Sequence, residues 1–133
     1  GQYGICCTSD DYIRLPDDRA FDAMDETQRC KDFHALFFHE LIHWTGVKHR
    51  LNRNMGARRH DRDFMIEEII AEFGAAFLLA DLEINSVPSP LHAIFVAEQM
   101  RHGAIEKRTV TMAIRRASRA AQYITAFEAL HLV

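Results

Sequence analysis

The chain has 133 residues, 48% of them hydrophobic and 26% charged, the make-up of one globular domain with one real core, spanning 1–133. A net charge of −3 speaks against a module held to nucleic acid by bulk charge, and no apolar run reaches membrane-span length. Cys6, Cys7 and Cys30 make neither a disulfide framework nor a paired metal spacing, so free thiols in a reducing, cytoplasmic compartment are expected; no signal peptide is visible.

Residues 11–15 alternate loosely and stop at Pro16, which predicts a short strand at a sheet edge. Residues 17–24 read as a turn or short helix. A long helix is predicted over 25–45, where an apolar-rich run free of Gly and Pro ends at Gly46, placed to stop it in the left-handed region. A polar loop with Asn52, Asn54 and Gly56 follows, then a second long helix over 61–81. Residues 83–90, with Pro88 and Pro90, read as a turn. Two further helices are predicted over 91–101 and 108–129. The last carries Ala113, Ala117, Ala120, Ile124 and Phe127 at spacings that suit tight packing. The expected fold is mainly α with a minor strand component, in the α+β sense.

The first long helix holds His39-Glu40-Leu41-Ile42-His43. Positions i and i+4 project from one face one turn apart, so two imidazoles are offered to one Zn2+ ion. Glu40 is placed to handle a water rather than to bind the metal. A catalytic zinc needs a third protein ligand and one open position, and the second long helix offers Glu68 and Glu72 four residues apart among apolar neighbours. Buried carboxylates are costly unless paired or metal-bound. Glu68 is preferred as ligand, with Glu72 accepting a hydrogen bond from a ligand histidine; spacing leaves Glu72 open as the ligand instead. Glu67 is read as a solvated charge favoured by the helix dipole. Structural zinc sites are closed by four protein ligands, mostly cysteine; three ligands beside a glutamate favour catalysis.

Phe38–Gly46, Arg50-Leu51-Asn52-Arg53 and Glu67–Leu78 together resemble the zincin-like metallopeptidase domain of ArdC-type antirestriction proteins, which also occurs in TraC-type primases and in polyvalent proteins of phages and plasmids. The resemblance extends to Asp11–Pro16, Phe21 and Ala117–Ala121, and covers most of the chain. Val47 departs from the histidine frequent at that position, and the family's N-terminal single-stranded-DNA-binding domain is missing. The resemblance implies a zincin-like helical domain with a short N-terminal strand or small sheet. It also favours Glu68 as third ligand and implies a zinc metallopeptidase serving a mobile element, in antirestriction or host-defence evasion. The alternative is a non-proteolytic antirestriction or DNA-protecting module with a zinc-stabilised fold. Expected partners are a protein or peptide substrate and DNA, the latter through a fused or separate domain, with no membrane. Glu40 would take the proton of the attacking water and pass it to the leaving amine. Tyr12, His49, His60, His92 and Tyr123 are candidates for stabilising the oxyanion. The strand at 11–15 could pair with an extended peptide, and Trp44 is expected in the core rather than as a substrate platform. Lys48, Arg50, Arg53, Arg58, Arg59 and Arg62, and the arginines of the late helices, read as solvated faces.

Overall fold

The computed structural model describes residues 4–22, 25–56, 61–85, 90–103 and 105–131, with backbone alone at 90–93, 95 and 128–131. Arg58, Arg59, His60, Pro88 and the side chain of His92 therefore lie outside the described residues. Two short strands, β1 (Ile5–Cys7) and β2 (Tyr12–Arg14), form an antiparallel hairpin with Cys6 opposite Ile13. A 3-10 turn at Asp18–Phe21 buries Phe21. Four helices follow: α1 (Glu26–Thr45), α2 (Arg62–Asp81), α3 (Pro90–Arg101) and α4 (Lys107–His131). No described helix is long and apolar enough to cross a membrane.

α1 starts where Asp25 accepts a hydrogen bond from the Gln28 N–H at 2.8 Å, the usual satisfaction of a free helix-start donor. α2 is the central element and packs against both α1 and α4. Its sequence is apolar nearly all round, as a helix buried on two sides must be. Ile69, Ile70, Ala71 and Leu78 are buried in the core that it shares with Ile42 of α1 and Ala113, Ala117 and Ala120 of α4. The small residues of α4 let the two backbones approach. On the other side, a Cβ on Gly74 would meet Ile42 at 2.7 Å, so only glycine lets α1 lie this close to α2. Phe127 departs from the expected packing pattern: it is exposed and stands edge-on to Trp44.

The hairpin rests on α1. Its turn residue Asp11 takes a positive φ of 56° and accepts two hydrogen bonds from Arg50 at 2.8 and 2.9 Å. The Arg50 guanidinium lies 3.5 Å over the Trp44 ring and donates to the Trp44 carbonyl at 3.1 Å. Trp44 is thus half-buried between Arg50 and Phe127, and it anchors the hairpin to the end of α1.

Candidate metal centre

His39 pairs with Glu72 and His43 with Glu67, so α1 and α2 run antiparallel across the site. His39 Nδ1 is 2.9 Å from Glu72 Oε1 and His43 Nδ1 is 3.2 Å from Glu67 Oε1. Each imidazole is therefore held through Nδ1, and the two Nε2 atoms converge to 3.1 Å. Glu68 closes the triangle, with its oxygens 3.4 Å from His39 Nε2 and 3.1 Å from His43 Nε2.

These separations can be compared with a metal. Zinc bonds of about 2.0–2.1 Å in tetrahedral geometry keep ligand atoms about 3.3 Å apart. The two Nε2 atoms meet that spacing, and Glu68 offers a different oxygen to each of them. One donor atom from each of His39, His43 and Glu68 lies within 4.8 Å of the others, a group able to hold a metal ion. Two nitrogens and one carboxylate oxygen are also a ligand set that suits zinc and leaves a fourth position. Glu72 lies on the far nitrogen of His39, where it can orient that ring.

The electrostatics show how strongly the cluster holds positive charge. Burial alone would lower the pKa of His39, but Glu68 and Glu72 outweigh it and hold it up at about 10. His43 is raised in the same way, burial being overcome by Glu67 and Glu68. Glu68 is driven well below the carboxylate range: burial opposes its charge, and the two histidines more than compensate. A divalent cation would replace protons that the two histidines already bind tightly.

Glu67 overturns the reading of a solvated first-turn charge. It is buried, and Arg53 grips it with a two-pronged contact, Nε to Oε2 at 3.0 Å and Nη2 to Oε1 at 2.7 Å. Burial would raise its pKa, but Arg53 and His43 lower it. Gly46 also differs from expectation. Its φ of −80° lies in the right-handed region, so no left-handed stop is made there. The missing side chain has another use: a Cβ on Gly46 would come within 2.7 Å of Arg53 Nη2. The sequence signal that could have exposed Glu67 was the all-round apolarity of α2, which leaves little of that helix in solvent.

Glu40, on the turn between the histidines, is buried and lines a cleft of about 770 Å³ together with His39, His43, Glu67, Glu68 and Glu72. The strand beside this cleft is β1, not the predicted 11–15 segment: Gly4, Ile5, Cys6 and Thr8 contribute to its wall. A Cβ on Gly4 would meet Glu40 Cγ at 2.9 Å, so a bare backbone covers the glutamate. Cys6 is a free thiol whose pKa is pushed up to about 11 by burial and then by the neighbouring Glu40. The antiparallel register puts Ala35, Leu36, Ala75 and Leu79 at one end of the cleft and Met55 and Phe64 at the other. No lysine or arginine is among the described residues lining it. Neither are Tyr12, His49 and Tyr123, three of the oxyanion candidates.

A family model described as zincin-like metallopeptidase matches residues 2–120. The chain belongs to that family. Among curated relatives of this zincin-like domain, an uncharacterised protein of Sinorhizobium fredii, y4eC, is 28% identical over 118 residues, 89% of this chain and 36% of that protein. Two proteins from Escherichia coli, each named DNA primase TraC, are 29% and 30% identical over 120 residues. Each match takes in 90% of this chain, but 11% and 8% of the respective primases. The zincin-like domain thus spans about a third or less of the relatives it matches. No solved structure gives a significant match.

Proposed function

We propose that this domain is a zinc metallopeptidase that hydrolyses peptide bonds. The observation that carries the reading is the triangle of His39, His43 and Glu68, whose donor atoms converge within reach of one metal ion, beside Glu40 in a shared cleft. Zinc bound there would supply Lewis acidity, activating a water near neutral pH and polarising the scissile carbonyl. Glu40 would receive the proton of that water and deliver it to the departing amine. Glu72 and Glu67 would hold the two imidazoles in place through Nδ1.

The lining of the cleft supports a peptide rather than a nucleic acid as substrate. A phosphodiester backbone would meet four carboxylates and no compensating lysine or arginine among the described lining residues. An extended peptide can instead lie along β1, whose backbone borders the site, with affinity from main-chain hydrogen bonds. The apolar ends of the cleft suit apolar side chains on either side of the scissile bond.

Relatives named DNA primase, together with the resemblance to antirestriction proteins, support service to a mobile element, in antirestriction or host-defence evasion. The competing reading is a non-proteolytic DNA-protecting module, favoured by the exposed Arg115, Arg116 and Arg119 on α4. Glu40→Gln separates the two. It should retain zinc, lose peptide cleavage by at least about a hundredfold as a general base is removed, and lose plasmid protection as well. Protection that survives Glu40→Gln unchanged would show that it does not depend on peptide hydrolysis.

A further inference from the structure

The most elaborate polar network among the described residues reaches the metal centre from a loop that the proposed mechanism does not use. Arg53, between α1 and α2, has a side chain 5% exposed, and its partner Glu67 is 3% exposed. Every donor nitrogen of the guanidinium is engaged. Nε and Nη2 take the two oxygens of Glu67. Nη1 donates to Thr45 Oγ1 at 2.9 Å, and Nη2 also donates to the Ile42 carbonyl at 2.7 Å. The last two acceptors lie at the end of α1, where carbonyls lack helical partners and a cation complements the helix dipole.

Resting on the metallopeptidase reading, we propose that Arg53 is a positioning residue. It fixes Glu67 as the acceptor of the His43 Nδ1–H and keeps that carboxylate out of the ligand set.

Both oxygens of Glu67 are occupied by the fork, and Oε1 also takes His43. Glu67 could turn toward a metal only by breaking two charge-assisted hydrogen bonds. Its neighbour Glu68 faces both Nε2 atoms instead. Arg53 thereby decides which of two consecutive glutamates ligates. It also sets the distance between the helices, because one planar group grips α1 and α2 at once. Charge adds a second reason. A divalent cation would stand among the carboxyl groups of Glu40, Glu67, Glu68 and Glu72, and Arg53 supplies a positive charge to this acidic cluster. Lysine could supply the charge but not the fork.

The test uses the full chain as wild type, Arg53→Lys and Glu67→Gln. Zinc affinity is measured by competition with a chromophoric chelator, and melting is followed with and without zinc. The His43 Nδ1–H proton is observed by NMR in the metal-free protein. Zinc affinity is expected to fall about 10–100-fold in both variants, the usual loss when the partner of a metal-bound histidine is disturbed. The Nδ1–H resonance, protected in wild type, is expected to exchange faster in Arg53→Lys. Unchanged zinc affinity in Arg53→Lys overturns the proposal. So does equal destabilisation with and without zinc, which marks a purely structural ion pair. If Arg53→Lys does not fold, the near-isosteric Glu67→Gln carries the same readouts. Should wild type take up no zinc, the metallopeptidase reading fails by itself. The metal-free resonance then decides the positioning role: faster exchange in the variant supports it, and equal protection overturns it.

Discussion

The two histidines of the site are held by the same device built in two ways. At the His43 end the acceptor carboxylate is sealed: Glu67 is buried, and a guanidinium with no free donor nitrogen grips it. At the His39 end the acceptor is Glu72, whose side chain is 32% exposed at the cleft. The sealed end is built from three segments (α1, the loop and α2), whereas the His39–Glu72 contact at the other end joins the two helices directly. A site made this way has one rigid post and one accessible post.

The contrast is broken most directly by truncating each carboxylate in the metal-free protein. Glu67→Ala strands Arg53 as an unpaired buried charge, and such losses cost about 3–5 kcal/mol. Glu72→Ala removes a partly solvated partner and should cost no more than about 1 kcal/mol. Urea denaturation of both variants reads the difference, and equal costs would refute the distinction between the two ends. An effect between those two is expected from Gly46→Ala. The backbone there accepts alanine, but the new methyl displaces the guanidinium, at about 1–3 kcal/mol as for other overpacked sites. Rescue by a second substitution that shortens residue 53 would show that the clash is with Arg53.

Acidity probes the groups shared by both ends. His39 has its folded pKa raised from 6.5 to about 10. Its contribution to metal-free stability is therefore complete below pH 6.5 and lost as pH rises toward 10. Glu68 has its folded pKa lowered from 4.5, so its contribution is present above that value and lost as the solution becomes more acidic. Metal-free protein should be most stable between about pH 4.5 and 6.5. Zinc requires neutral imidazoles, so the gap in melting temperature between loaded and metal-free protein should widen from pH 6.5 upward. A gap that is flat with pH would mean that the histidines do not exchange protons for the metal. The smallest effect belongs to Asp11→Asn. Its carboxylate is exposed and held low by the Arg50 hydrogen bonds, so global stability should barely move while KM for a peptide rises as the hairpin loosens.

The helical frame was legible because its signals are local. Apolar spacing located α1 and α2 within one residue at each end, and Pro16 marked the end of β2. The i, i+4 pairs His39/His43 and Glu68/Glu72 put the donor atoms on facing helices without any knowledge of the fold. What escaped depends on tertiary partners. β1 is three residues long and carries no alternation to read. Glu67 looked like any acidic residue in the N-terminal half of a helix, because its environment is set by Arg53, fourteen positions away. Gly46 sits where a helix should stop, and only the packed guanidinium explains why a side chain is unwelcome. Residue identity was visible in each case, but the neighbour that gives it meaning was not.

Arg50 and Arg53 have a joint consequence. They are three residues apart on one loop, yet the first is fastened to the hairpin through Asp11 and the second to α2 through Glu67. The loop acts as a tie rod between the strand side of the cleft and the helix that carries Glu68. A double-mutant cycle at Asp11 and Glu67 reads that mechanical linkage: the two residues do not touch, and a rigid tie predicts that their effects fail to add.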